Sequence, residues 1–286
     1  MINYRFVKNN TIKRPAITSG RSFMPRKPRI VACVQARMGS SRLPGKVMRK
    51  ICGKTLIKHI VTRLKAAKEI DEIVLSTTVE KRDDVLAKEA ERLGINFFRG
   101  SESDLVSRLY HTMISCNADA FVRVTADCPL VDPEIVDRMV AVFKRAKKKP
   151  DYLTNVFPRS FPKGLDLEIF PASVMKYLDS FLTDEFYRES FNVYIMDNPN
   201  KFRIQNIYND RDLSFLRWTV DYPEDMMLVR KIFTHFGECI FHMRDILDFI
   251  RENPALTLMN INRADAASKE KIREFVKQIR NKSTRA

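Results

Sequence analysis

No Asp or Glu occurs before Glu69, although Lys and Arg are frequent throughout that stretch. A segment with one sign of charge cannot neutralise itself through internal ion pairs, so its cations face solvent or an external anion. Other absences narrow the class further. No run of about eighteen apolar residues occurs, so no membrane-spanning helix is expected. The N terminus lacks the apolar core of a secretory signal. The five cysteines, Cys33, Cys52, Cys116, Cys128 and Cys239, form no Cys-x-x-Cys pair. Neither a disulfide framework nor a zinc site is therefore expected, and a reducing, cytoplasmic compartment is the simplest setting. The four histidines, His59, His111, His235 and His242, are scattered over helical or apolar segments and read as packing or surface residues. No Ser-His-Asp order suggests hydrolysis.

What is present is a basic, core-forming chain. The net charge is +16 over 286 residues, and the 44% hydrophobic content suffices for one buried α/β core with a small appendage. Residues 1–28 show neither helical nor strand periodicity and read as a basic, disordered arm. An organellar transit peptide, or weak attraction to nucleic acid or an anionic membrane, are the alternatives, but no recognised nucleic-acid motif accompanies the arm.

Strands and helices then alternate. Strands are expected at 30–35, 72–77, 96–99 and 120–125. Helices are expected at 55–68, 82–93 (closed by Gly94), 104–115 and 133–145. Such alternation implies a mostly parallel sheet sandwiched by helices, with ligands beyond the carboxyl ends of the strands. After Pro150 the pattern changes. Strands are expected at 152–157, 165–169, 202–207 and 216–220, and helices at 183–197, 224–236 and 243–252. The tail from Arg263 is charged and helical in propensity. Trp218, between Arg217 and Thr219, reads as a core residue.

The run Gln35-Ala-Arg-Met-Gly-Ser-Ser-Arg-Leu-Pro-Gly-Lys46 follows the first strand. A Gly/Ser-rich turn crowded with Arg37, Arg42 and Lys46 suits a polyphosphate: backbone N–H groups donate to phosphate oxygens while the cations neutralise charge. A Walker A loop is excluded. Five residues separate Gly39 from Gly45, Val47 follows the lysine, and Met48 stands where the glycine paired with Cys52-Gly-Lys-Thr55 is required. Mg²⁺ seeks one or two carboxylates besides phosphate oxygens. Asp127 in Thr-Ala-Asp-Cys-Pro and Asp221 in Thr-Val-Asp-Tyr-Pro, each expected at a strand end, suit that role. Read singly, Asp127 is equally a turn former and Asp221 a helix cap. Asp166 and Glu168 alternate with Leu165 and Leu167, which puts both acids on one face of the expected strand.

Together with Ser76-Thr-Thr78, Arg123-Val-Thr-Ala-Asp-Cys-Pro-Leu130, Pro162-Lys-Gly-Leu-Asp-Leu-Glu-Ile-Phe170 and Arg217-Trp-Thr-Val-Asp-Tyr-Pro-Glu-Asp225, the loop resembles the cytidylyltransferases that activate acidic sugars as CMP conjugates (CMP-sugar synthetases). More closely it resembles the branch named after spore-coat polysaccharide biosynthesis protein F. The five landmarks run in the family's order over roughly residues 29–245. The resemblance implies a Rossmann-like, glycosyltransferase-A-like nucleotidyltransferase fold over 29–255. It also implies an acceptor or dimerisation insert near 157–212 and a C-terminal helical tail at 256–286. It assigns nucleotide binding to Gln35, Ala36, Arg37, Gly39, Ser40, Arg42, Lys46, Thr77, Thr78 and Arg123. Metal binding falls to Asp127 and Asp221, and the acceptor to Asp166, Glu168, Arg188 and Glu189. Ser190 stands where the family often has His after Arg-Glu, which removes an imidazole from the acceptor region. The implied reaction moves CMP from CTP to an acidic sugar or phosph(on)ate oxygen with Mg²⁺, releasing pyrophosphate. Arg37, Lys46 and Asp127 would carry it, Lys46 following charge onto the departing pyrophosphate. Relatives commonly form homodimers. A glycosyltransferase or NDP-sugar pyrophosphorylase using another nucleotide, and a non-catalytic nucleotide- or nucleic-acid-binding protein, are the alternatives.

Overall fold

The computed structural model describes residues 27–283, and the basic arm, apart from its last two residues, lies outside them. The first half runs β1 (Ile30–Gln35), a ribbon of β2 (Lys50–Ile51) and β3 (Lys54–Thr55), α1 (Leu56–Leu64), β4 (Glu72–Thr78), α2 (Asp84–Leu93), β5 (Asn96–Gly100), α3 (Leu105–Ser115), β6 (Ala120–Thr125) and α4 (Pro133–Arg145). The second half runs β7 (Tyr152–Thr154), β8 (Glu168–Pro171), α5 (Ala172–Phe181), α6 (Glu185–Glu189), α7 (Phe191–Asp197), β9 (Ile204–Asn206), α8 (Pro223–Phe236), α9 (Met243–Glu252) and α10 (Ala266–Ser283).

Local chemistry fixes the helix ends of the first half. The Thr55 hydroxyl accepts from Lys58 N, and the Asp104 carboxylate from Ser107 N. The Asp132 carboxylate accepts from Glu134 N beside Pro133. Gly94, at φ 64°, ends α2 in the left-handed region.

The seven-stranded sheet has the order β5-β4-β1-β6-β8-β7-β9. β5, β4, β1 and β6 are mutually parallel, and β8 runs antiparallel to both β6 and β7. Alternate residues of β1 feed two cores. Ile30, Ala32 and Val34 join the apolar faces of α1, α2, α4 and α8, while Val31 and Cys33 meet α3, α5 and α7. Each fully buried aliphatic side chain contributes roughly 1.5–3 kcal/mol, which makes this doubly covered sheet the rigid base for its loops.

The second half departs from expectation where burial alternates without a pairing partner. Leu216, Trp218 and Val220 are buried, yet 216–220 is no strand. It is fastened by one isolated parallel bridge, Lys163 N to Leu216 O at 2.9 Å and Trp218 N to Lys163 O at 2.7 Å, and by Val220 N to Asp127 O at 2.8 Å. Leu165 and Leu167 are buried in an irregular segment held by Asn155, and β8 begins only at Glu168. The helix expected over 183–197 breaks at Ser190 into α6 and α7, which lets Phe191 pack edge-on against Phe170 while Phe186 stays exposed. The strands expected at 152–157 and 202–207 are shorter, ending at Thr154 and starting at Ile204. Ile272 and Val276 of α10 are buried in the larger core.

Gly164 is the tightest backbone approach. Its φ is +109°, and a Cβ there would sit 2.4 Å from Thr219 N and 2.6 Å from Trp218 C. Gly164→Ala is expected to cost about 2–4 kcal/mol through left-handed strain and backbone displacement. Urea unfolding checks this: the midpoint should fall at unchanged m-value, and an unchanged midpoint would refute the close approach.

Candidate active site

The loop after β1 is pinned at both ends. Ala36 N donates to Ser76 O at 3.0 Å, Met38 N to Asp83 Oδ1 at 2.7 Å, and Ser40 N and Gly45 N both donate to Met38 O. Gly45 turns the chain at φ 64°, and Leu43 is buried as an apolar anchor. Among the described residues the N–H groups of Gly39 and Ser41 make no hydrogen bond, as an anion cradle requires. Beside the loop lies a cavity of about 280 Å³, lined by Gln35–Arg37, Gly39–Arg42, Lys46, Val47 and Thr125–Asp127. A larger cleft of about 570 Å³ sits at the amino ends of β4 and β5, where Lys65 faces Asp71, Glu72 and Glu91. It offers no cationic cluster and none of the loop.

Asp127 and Asp221, 94 positions apart in the numbering, meet at Lys46. Lys46 Nζ donates to Asp127 Oδ2 at 3.0 Å and to Asp221 Oδ1 at 2.8 Å. Val220 N and the Thr219 hydroxyl both donate to Asp127 O, which brings the two acids side by side. Arg42 donates to Asp221 Oδ1 at 2.7 Å and lies over the Tyr222 ring. Burial alone would raise the Asp221 pKa. The hydrogen bond and charge of Lys46, helped by Arg217 and Arg42, outweigh that and hold it below the ordinary carboxylate value. Asp127 does sit in a turn, its Oδ1 accepting from Thr125 Oγ1 at 2.6 Å, and it still presents Oδ2 to Lys46. Asp221 does not cap α8. Tyr222 is the N-cap, and Asp225 in the first turn reaches back to accept from Asp221 N at 2.9 Å and Tyr222 N at 3.0 Å. The segment before Asp221 is irregular rather than a strand.

Sequence reasoning passed over the residues that hold Asp221. Arg217 donates to both oxygens of Asp225 at 2.9 Å and to Asp221 Oδ2 at 2.9 Å. Asn260 Nδ2 donates to Asp225 Oδ1 and Arg217 O. The fourfold spacing of Arg217, Asp221 and Asp225 was the available signal. Asp83 was also missed. It is fully buried, accepts from Thr78 Oγ1, and thereby fastens the loop at Met38 to the end of β4.

Other candidate residues have different company. Thr77 and Thr78 are fully buried and do not line the cavity. Thr78 serves Asp83, and Thr77 Oγ1 has no hydrogen-bond partner among the described residues. Arg123 donates to Gln35 Oε1 at 2.8 Å and Glu168 Oε2 at 2.6 Å, while Tyr152 OH donates to the other Glu168 oxygen. Asp166 is not on the strand face of Glu168. It lies in the irregular segment before β8, paired with both terminal nitrogens of Arg159. Arg188 is tied to Asp104 at 2.7 Å and Asp179 at 2.8 Å, so it joins α6 to α3 and α5. Glu189 alone of the four acceptor candidates reaches the loop, 3.5 Å from Arg37. Arg37 is also 3.8 Å from Glu102, which pairs with Arg82. His59 is buried against Ile51 O and Phe233, and His235 stacks on Phe249. His242 converges with Asp132 and Glu134, a metal-capable trio by spacing. Asp132 spends its oxygens on His242, Glu134 N and Met243 N, so the trio reads as a junction between α4 and α9.

A depressed Asp221 pKa fixes the sign of one pH effect. Its stabilising contribution is complete above the unfolded-state value of about 3.9 and is lost as pH falls through the lower folded value. Urea unfolding between about pH 2 and 7 should show wild-type stability falling below about pH 4, and a shallower fall in Asp221→Asn. Parallel pH profiles would remove Asp221 as a source of acid sensitivity.

Comparison with known proteins places this geometry in a family. The cytidylyltransferase family model matches residues 31–256. A cytidylyltransferase structure from Leptospira borgpetersenii superposes with a TM-score of 0.76 at 35% identity, covering 81% of this chain and 96% of that one. The spore coat polysaccharide biosynthesis protein SpsF of Bacillus subtilis is 29% identical over 217 residues, 73% of this chain and 88% of its own length. The structure of CMP:2-keto-3-deoxy-manno-octonic acid synthetase complexed with CTP shares the fold, with a TM-score of 0.56 at 18% identity over 72% of this chain and 99% of its own. With the cationic loop, the two convergent carboxylates and a match across most of its length, the chain belongs to the cytidylyltransferase family and is a nucleotidyltransferase enzyme.

Proposed function

We propose that the protein transfers CMP from CTP to an oxygen of an acidic sugar or related acceptor, releasing pyrophosphate, in the assembly of a surface polysaccharide or glycoconjugate. The observation that carries this reading is that Lys46 and Asp127, both lining the loop cavity, meet the buried Asp221 directly behind it. The acceptor oxygen attacks the α-phosphorus, the α–β P–O bond breaks, its electron pair leaves on pyrophosphate, and the acceptor proton passes to solvent. Gly39, Ser41 and the cations Arg37, Arg42 and Lys46 hold the triphosphate. Lys46 follows negative charge onto the leaving group.

The donor set suits a hard divalent cation, since two carboxylate oxygens from separate segments already face one positive centre. Asp127 and Asp221 would hold Mg²⁺, which when bound neutralises phosphate charge and acidifies a coordinated acceptor hydroxyl, so a histidine base is not required. The name of the Bacillus relative supports the polysaccharide context. That of the octonic acid synthetase suggests an acidic sugar and CTP. Among the acceptor candidates the geometry favours Glu189 beside Arg37. The insert presents Tyr177, Phe181 and Phe186 as exposed rings, and we assign the homodimer contact to it.

Pyrophosphate release is expected with CTP and an acidic-sugar acceptor, and not with ATP, GTP or UTP. Mass spectrometry of CMP conjugates across an acceptor panel identifies the partner, and preference for another nucleotide would favour a pyrophosphorylase or glycosyltransferase. Asp127→Ala and Asp221→Ala should each lower the rate about 10²–10³-fold, or about 3–4 kcal/mol, with melts checking the fold. Rates within a few-fold of wild type would end the metal assignment.

A further inference from the structure

Each site carboxylate has one oxygen fixed by the scaffold and one given to Lys46. Asp221 Oδ2 is held by Arg217, whose guanidinium is itself clamped by Asp225, and Asp127 Oδ1 is held by Thr125. Asp221 Oδ1 and Asp127 Oδ2, the remaining pair, both accept from Nζ. An ammonium therefore sits where the proposed metal would find its protein ligands. The group is also balanced in charge: Lys46, Arg42 and Arg217 face Asp127, Asp221 and Asp225. A divalent cation arriving alone meets a neutral cluster whose open oxygens are already occupied by positive charge.

Lys46 and Arg42 differ from Arg217 in what they can reach. Both line the loop cavity, whereas Arg217 does not. Arg42 is half-exposed, and Lys46 has a flexible stem with three donors. Phosphate oxygens in that cavity would draw both cations off Asp221 and Asp127, while Arg217 and Thr125 keep the carboxylates oriented. We propose that Lys46 is an internal counter-ion that closes the metal site until a triphosphate withdraws it, so that metal and nucleotide bind as a coupled pair. This rests on the reading of the site given under Proposed function. By linkage, each ligand tightens the other by the same factor.

The test uses the full chain and Mn²⁺, followed by electron paramagnetic resonance of the free ion and by water-proton relaxation. CTP–Mn²⁺ without protein serves as the control. Wild type should bind Mn²⁺ weakly alone and about tenfold or more tightly with CTP. Lys46→Met should bind Mn²⁺ without nucleotide about tenfold or more tightly than wild type, and CTP should tighten Mn²⁺ by a smaller factor than it does in wild type. Wild type binding Mn²⁺ equally with and without CTP, while still releasing pyrophosphate, overturns the inference and leaves the proposed function standing. No protein-bound Mn²⁺ under either condition, together with no pyrophosphate release, overturns both. Should Lys46→Met fail to fold, Lys46→Gln takes its place, and a folded Lys46 variant that binds Mn²⁺ alone no more tightly than wild type overturns the inference.

Discussion

The contact on which the rest depends is one ammonium between two carboxylates. Lys46 Nζ touches Asp127 and Asp221 at 3.0 and 2.8 Å, and its side chain is only 9% exposed. An isolated ion in such a position is costly, and the pair is tolerated only when geometry and extra hydrogen bonds satisfy the remaining atoms. Much of the nearby structure supplies those bonds. Thr125 and Arg217 take the outer oxygens, Asp225 clamps Arg217, and Asn260 donates to Asp225. The loop enters through a similar chain, from Thr78 to Asp83 to Met38 N. Apart from Thr125, precision at the centre is thus delegated to side chains that do not line the cavity.

The sheet explains why this centre lies where it does. β1 and β6 are adjacent and parallel, so their carboxyl ends deliver the loop and Asp127 to the same edge. Ala126 N donating to Gln35 O joins the two turns directly. The antiparallel β8 then follows β6 in the sheet, and Arg123 links Gln35 to Glu168 across these strands. An arginine that resembles a nucleotide ligand in the linear motif is, in three dimensions, a brace between neighbouring strands.

The first half of the fold was legible because its signals are local. β1, β6 and α4 lie at 30–35, 120–125 and 133–145 as the apolar runs and Pro133 imply, and Gly94 closes α2. The loop cations and both metal-candidate aspartates could be named from residue type and motif spacing. The second half was less legible because burial there comes from tertiary contact. Leu216, Trp218 and Val220 alternate like a strand, but their neighbours offer one isolated bridge at Lys163 and one bond at Asp127 instead of a ladder. Leu165 and Leu167 imitate the same period in an irregular segment held by the Asn155 side chain, which misplaced Asp166. Arg188 and Arg123 carry the right chemistry for substrate, and only their partners Asp104, Asp179 and Glu168 reveal other employment.

Asn260 has a consequence for where the working unit ends. The family match stops at residue 256, yet this amide grips the carboxylate that grips Arg217, and α10 closes over the core with Ile272 and Val276. The charged C-terminal segment is thus no ornament beyond a finished domain. A shortened version cut at the family boundary would leave a buried acid one donor short, and the slack would be felt at the opposite end of a three-residue relay.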